Sequence, residues 1–229
     1  MWNEDRGYFY GVLLGDGFYE QHPSNGSPYV MLKACDRDFV EYWSKVVSRI
    51  VGKEYSVHGH VGATDKHRAQ WRCKVYYRPL VVEAFEVTRD KTVIPNGILD
   101  ADASVKRAFI QGLMDSEGFI TFTLKPLGST SLSLSFANTS EWSRDLYRMF
   151  GELGITTSKM YIRQSKQLTV TGKQPKPVFY WCIHILDYVN AGLSFNIKRK
   201  ADRLAWCSKI LTDYTRNYPR YADYYTFAG

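Results

Sequence analysis

Shifted by 101 positions, the chain lies over itself: "FYGVLLGDGF" at residues 9–18 meets "IQGLMDSEGF" at 110–119, pairing Gly11 with Gly112, Asp16 with Glu117, Gly17 with Gly118 and Phe18 with Phe119. Such self-similarity means one supersecondary unit used twice, so the fold is read unit by unit. The match extends backwards, with Gly7, Gly11 and Gly15 falling on Ala108, Gly112 and Ser116. Small residues four apart share one face of a helix. Each copy therefore carries a helix with a bare stripe, and each ends it on an acid followed by glycine.

The segments after each motif are parallel too. After the first come a hairpin pattern to Ala34, a helical pattern in "DRDFVEYWSKVVSRIVG", basic strands around "VHGHVGATDKHRAQWRCKVYY" and a helix through "RPLVVEAFEV". The second runs through "GFITFTLKPLGSTSLSLSFAN", "SEWSRDLYRMFGELG", a basic strand pair and "LDYVNAG", and closes with "KRKADRLAWCSKIL". In "SLSLSF", Leu132, Leu134 and Phe136 alternate with Ser131, Ser133 and Ser135, the period of a sheet with one buried face. Each unit reads α-β-β-α-β-β-α, with Asp36 and Ser140 as N-caps and Gly52 and Gly154 as helix stops. The expected fold class is α+β, a pseudo-two-fold duplicated unit with two antiparallel sheets. The expected boundaries are a first repeat at 1–95, a linker at 96–103 opened by Pro95-Asn96-Gly97, a second repeat at 104–212 and a tyrosine-rich tail at 213–229.

A chain of 229 residues, 45% hydrophobic, buries a full core without staples. Its four cysteines, at 35, 73, 182 and 207, have neither metal-ligand nor disulfide-framework spacing, so reduced thiols in an intracellular, cytoplasmic protein are expected, with an organelle as the alternative. No apolar run approaches the ~20 residues of a membrane helix, so no membrane partner is expected. The formal net charge of +7 favours a polyanion. It is concentrated: residues 53–78 carry a balance of +4 and 157–176 one of +5, which leaves the remainder slightly acidic. Equivalent strand pairs in both copies thus hold the positive charge.

Helices with Gly and Ala stripes bring their backbones to the near end of the usual ~8–10 Å spacing. Gly7, Gly11, Ala108 and Gly112 are the expected interface of the two motif helices. If a pseudo-two-fold axis relates the copies, Asp16 and Glu117 lie together at their C-terminal ends. Like charges repel there, and a helix C-terminus adds partial negative charge. A lone Gly-Asp-Gly is ordinarily a solvent-facing stop, but the equivalent acid in the second copy calls for a compensating cation. The carboxylates with the Gly15 and Ser116 carbonyls offer the hard oxygens that Mg²⁺ prefers.

"FYGVLLGDG" and "IQGLMDSEG" resemble the two motifs of a single-chain LAGLIDADG homing endonuclease. Leu14 departs from the first acidic letter of the signature and Glu117 replaces the second acidic letter in copy two; the position before the last glycine is acidic in both. The resemblance implies a saddle of two β-sheets on the DNA major groove with the motif helices at its central interface. It implies a monomer that hydrolyses one phosphodiester in each strand of a long asymmetric duplex, leaving short 3′ overhangs. Asp16 and Glu117 would be metal ligands for Mg²⁺ or Mn²⁺, with Ca²⁺ supporting binding but not cleavage. It also implies a basic residue near the metals: Lys198 in "FNIKRKADRL" for copy two, Lys91 or Lys33 for copy one.

The groove-facing residues expected are Arg68, Gln70, Arg72 and Lys74 in copy one and Arg163, Gln164, Lys166, Gln167 and Lys173 in copy two. These side-chain types read base edges or hold phosphates. His58, His60 and His67 lack the accompanying ligands of a metal site and read as hairpin surface residues. Two alternatives share the scaffold: an intron RNA maturase and a non-cleaving DNA-binding regulator. A third reading is a basic α+β protein binding single-stranded RNA through its aromatics.

Overall fold

The computed structural model describes residues 2–22, 24, 26–60, 69–124, 130–164 and 175–217. The chain divides into two compact units, Met1–Ser116 with Phe195–Lys198 and Glu117–Ser194 with Arg199–Gly229. The first holds helix α1 (Glu4–Leu14), strands β1 (Phe18–Glu20) and β2 (Tyr29–Ala34), α2 (Arg37–Val51), β3 (His58–His60), β4 (Gln70–Val75), α3 (Arg78–Thr88), the single turn α4 (Asn96–Leu99) and α5 (Ala103–Glu117), which ends at the boundary. The second holds β5 (Phe119–Leu124), β6 (Thr130–Asn138), α6 (Ser143–Glu152), β7 (Tyr161–Arg163), β8 (Val178–Ile183), α7 (Ile185–Asn190) and nearly all of α8 (Lys198–Asn217).

Both sheets are four-stranded and antiparallel with the same topology, β1-β2-β4-β3 and β5-β6-β8-β7. Their registers are equivalent: Phe18 pairs with Met31, and Phe119, its repeat counterpart, with Ser135. One face of each sheet is buried under its amphipathic helix. Phe39, Val40, Trp43, Val46 and Val47 of α2 are buried, as are Val30 and Leu32 of β2 and Cys73 and Val75 of β4. In the second unit Leu146, Met149 and Phe150 of α6 are buried with Leu134 and Phe136 of β6 and Trp181 of β8, whose ring lies 4.7 Å from Phe136 and 6.2 Å from Phe150. Each such side chain contributes about 1.5–3 kcal/mol relative to exposure.

Helix α1 is buried along Gly7–Leu14, apolar on every side, as a central helix is. It starts at Asn3, whose side chain accepts the Arg6 N–H at 3.0 Å. Its glycines face α5. A Cβ on Gly7 would sit 2.6 Å from the Val105 carbonyl oxygen and 3.3 Å from the Ala108 Cβ, and one on Gly11 or Gly112 would overlap the main-chain oxygen of Phe109 or Tyr8. That backbone contact places α5 in the same compact unit as α1, although by repeat equivalence it opens the second copy.

Gly52 and Gly154 both take left-handed φ, at 74° and 72°, behind α2 and α6. Asp36 is the N-cap residue of α2. Ser140 is not that of α6: its carbonyl accepts the Ser143 N–H at 3.0 Å in a leading turn, and Trp142 takes the cap position. At the end of the first repeat, Pro95 is the N-cap residue of the α4 turn, with φ of −55° and ψ of 132°. Among the described residues no helix is long and apolar enough to cross a membrane. All four cysteines are unpaired thiols.

Candidate functional site

The end of α1 is a tight stop: the Gly17 N–H reaches back to the Val12 carbonyl at 2.8 Å, and a Cβ on Gly17 would lie 2.6 Å from the Leu13 Cα. Asp16 is exposed at this stop. The carbonyls on both sides of it face one ammonium: Lys91 Nζ donates to Gly15 O at 3.1 Å and to Gly17 O at 2.9 Å.

Lys91 gets there by an unusual backbone. Arg89, Asp90 and Lys91 follow α3 with φ of 46°, 56° and 62°. Three consecutive non-glycine residues in the left-handed region cost roughly 1–2 kcal/mol each. The surroundings hold them: Asp90 N–H donates to Phe85 O, Tyr19 hydroxyl to Asp90 Oδ1 at 2.7 Å, Lys91 N–H to Thr88 Oγ1, and Thr92 and Val93 N–H to Thr88 O. Strain kept in place by so many bonds marks a position whose geometry matters.

In the second unit the equivalent carbonyl is met from a different element. Lys200, in the first turn of α8 and only 9% exposed, donates from Nζ to Gly118 O at 2.7 Å. Gly118 is the counterpart of Gly17, so Lys200 takes the place that Lys91 takes in unit one. Lys198, the sequence candidate, donates its main-chain N–H to Asp38 Oδ2 at 2.5 Å. Lys33 is exposed on β2 opposite Arg72. Glu117, the last residue of α5, accepts from Asn138 Nδ2 at 3.0 Å. The Ser116 hydroxyl donates to Gly112 O at 3.1 Å.

One motif letter earlier the copies diverge. Asp115 is 1% exposed and receives the Tyr8 hydroxyl at 2.7 Å, the Asn196 N–H at 2.9 Å and Asn196 Nδ2 at 2.9 Å. A buried carboxylate needs that many donors. Burial, and then the Asp115 charge, push the Tyr8 hydroxyl pKa well above its ordinary value. Leu14, the counterpart, is buried as an apolar residue. Neither this cluster nor Lys200 and Asn138 stood out in the sequence; the matching spacing of Gly17 and Gly118 is the signal that leads to Lys200.

The uncovered sheet faces are polar and basic. The parity of β4 puts Gln70, Arg72 and Lys74 on the side opposite the buried Cys73 and Val75, with Lys33 beside Arg72. Lys74 Nζ sits 3.5 Å from the Tyr29 ring centroid and 5.0 Å from that of Tyr76. Exposed His58 pairs with Arg72 at the outer strand. In the second sheet the Thr121 and Ser133 hydroxyls share a 2.6 Å hydrogen bond, and the Arg163 guanidinium lies 5.1 Å from the Tyr180 ring. Gln164 is exposed just beyond β7. Arg68, Lys166, Gln167 and Lys173 lie outside the described residues.

Among the described residues no three His, Cys, Asp or Glu side chains converge as a metal cage. With Asp115 buried among its own donors, Asp16 and Glu117 each offer one carboxylate beside main-chain carbonyls. Hard oxygens in small number fit Mg²⁺ or Mn²⁺, which keep waters and substrate phosphate as ligands, and do not fit a closed structural site.

No family model matches the sequence, and no curated protein matches it. Solved structures do match. The homing endonuclease I-DmoI aligns with a TM-score of 0.51 at 15% identity, over 82% of this chain and 92% of its own. The homing endonuclease I-WcaI, bound to its DNA recognition sequence, aligns at 0.56 and 12% identity over 88% and 87%. A mutant of I-SmaMI aligns at 0.56 and 8% identity over 97% and 96%. I-DmoI is also seen with target DNA and Mn, Ca or Mg. The chain thus has the α+β fold of these homing endonucleases.

Proposed function

We propose that the chain is a monomeric, site-specific endonuclease that cuts both strands of a long asymmetric DNA duplex. One observation carries the reading: a motif acid, the glycine after it and a lysine ammonium on that glycine's carbonyl occur twice, with Lys91 and Lys200 delivered by unrelated elements. A purely structural helix stop gives no reason for that recurrence. The fold shared with DNA-bound homing endonucleases supports the same substrate class.

In this reading Asp16 and Glu117, with main-chain carbonyls at the motif ends, hold divalent cations, Mg²⁺ or Mn²⁺. When bound, such a cation supplies a Lewis acid and lowers the pKa of water. The uncovered sheet faces hold the duplex through Gln70, Arg72, Lys74 and Arg163. Lys91 and Lys200 add positive charge beside the motif ends. There it stabilises the negative charge that builds on the phosphoryl oxygens as water adds to phosphorus and the P–O3′ bond breaks. The products are a 5′-phosphate and a 3′-hydroxyl in each strand.

The test is a plasmid library carrying long randomised inserts, incubated with the protein in Mg²⁺ or Ca²⁺, with cut ends captured and sequenced. The expected outcome is a recurrent asymmetric sequence cut with short 3′ overhangs in Mg²⁺ alone. No enrichment of any cut sequence, or preference for RNA over duplex DNA in binding, would overturn the proposal.

A further inference from the structure

We infer that Phe18 and Phe119 read thymine by its C5 methyl group, one phenyl ring in each half of the duplex site. The inference rests on the endonuclease reading, in which the uncovered sheet faces meet base edges in the major groove. Both phenylalanines directly follow a motif glycine, and both are exposed, at 43% and 36%. Register puts them on the uncovered faces. Phe18 pairs with Met31, which lies between the buried Val30 and Leu32, and Phe119 pairs with Ser135, which lies between the buried Leu134 and Phe136. Side chains directly opposite one another in a ladder share a face.

Each ring belongs to the same small array, assembled from different strands. In the first unit the Tyr29 ring of β2 lies 5.9 Å from Phe18, and the Lys74 ammonium of β4 stands 3.5 Å from the Tyr29 ring centroid. In the second the Tyr180 ring of β8 lies 6.3 Å from Phe119, and the Arg163 guanidinium of β7 stands 5.1 Å from the Tyr180 ring centroid. The tyrosine gives the phenyl ring a neighbour at ordinary aromatic spacing, and the cation supplies charge that a phosphate backbone attracts. One exposed apolar side chain needs no explanation. The same residue at the same register position in both units, each beside a tyrosine and a cation, is a shared property of the two faces.

The chemistry of the groove decides what such a ring selects. Base edges there present nitrogen and oxygen donors and acceptors, and one methyl group, that of thymine. A phenyl ring pressed on N7, O6 or an amino group leaves that atom without a hydrogen-bond partner, which opposes binding. Against the thymine methyl it takes apolar surface out of water on both sides. Each ring therefore favours thymine at the position it meets.

The experiment selects randomised duplexes for binding to the full chain in Ca²⁺, so that the readout does not depend on cutting. The variants are Phe18→Ala and Phe119→Ala. Phe122→Ala is the control: Phe122 is 42% exposed on the same strand as Phe119 but pairs with Leu132, on the opposite face. The parent should enrich thymine at a position in each half, Phe18→Ala should lose it in one half only, Phe119→Ala in the other only, and Phe122→Ala in neither. Deoxyuridine then replaces thymidine at each such position, which removes the methyl alone. The parent should bind the thymidine duplex about fourfold more tightly, the effect of one methyl taken out of water. The matching alanine variant should distinguish the two by less than about 1.5-fold.

A parent that binds the thymidine and deoxyuridine duplexes equally overturns the inference, whatever the stability of the variants; rings stacked on base planes would give that result. Thymine enrichment that both alanine variants retain also overturns it, as does equal loss of discrimination in Phe122→Ala. Cutting of the selected duplex in Mg²⁺ is scored separately. Thymine reading without cutting leaves the two rings in their role and removes the endonuclease reading, whereas cutting without thymine reading does the reverse. A parent chain that enriches no duplex overturns both.

Discussion

At the scale of single residues, the buried carboxylate of Asp115 and its three donors set a measurable stability term. Replacing Tyr8 by Phe removes a hydrogen bond to a charged group, worth about 1.5–3 kcal/mol, and urea denaturation at pH 8 should show a loss of that order. The pH dependence has a definite sign. An ordinary tyrosine titrates near 10, and burial beside Asp115 raises Tyr8 well above that. The unfolded chain therefore releases the proton first, so Tyr8's contribution is whole below about pH 10 and falls as pH rises further. The stability gap between parent and Tyr8→Phe should narrow above pH 10. Tyr10 and Tyr19 are also raised, chiefly by burial and then by Glu83 and by a hydrogen bond to Asp90, but both proteins keep them. A gap that stays constant to pH 11 would contradict the assignment.

At the scale of elements, the glycine stripes and the left-handed run make opposite predictions. Gly11→Leu or Gly112→Leu drives a side chain into the facing backbone and should cost on the order of 1–3 kcal/mol or more, read as a lower thermal midpoint. Arg89→Gly relieves one strained position, where φ is 46°, and should stabilise by about 1 kcal/mol, read as a higher urea midpoint. The stripe was legible in the sequence because small residues four apart have few other uses at that density. The order of elements along the chain was legible too, since the parallel segments after each motif give it, and the alternation in "SLSLSF" marks a sheet with one buried face. The lysines were not. Lys91 reaches Gly15 and Gly17 through three positive-φ residues without a glycine to announce them, and Lys200 reaches Gly118 by the rotation of α8, which no spacing in "FNIKRKADRL" separates from Lys198. Asn138 depends on register and on a turn that Ser140, read as a simple cap, conceals.

At the scale of the whole molecule, the proposed duplex binding predicts a salt-dependent reaction, because positive charge is concentrated in the strand pairs of both copies. Each lysine or arginine that meets a phosphate adds about one unit to the slope of log affinity against log salt. Lys33→Ala and Arg72→Ala should each flatten that slope by about one if they meet phosphate, or relax sequence preference at one position if they read a base. The repeat of acid, glycine and ammonium in the two units makes the chemistry testable apart from binding. The most direct measurement is single-turnover cleavage in Mg²⁺ of the selected duplex by the parent chain, Asp16→Asn and Glu117→Gln, each at a concentration that saturates binding in Ca²⁺. The expected result is double-strand cutting by the parent, with both variants binding the duplex and failing to linearise it. Variants that bind and cut at the parent's rate would contradict the assignment of these two acids.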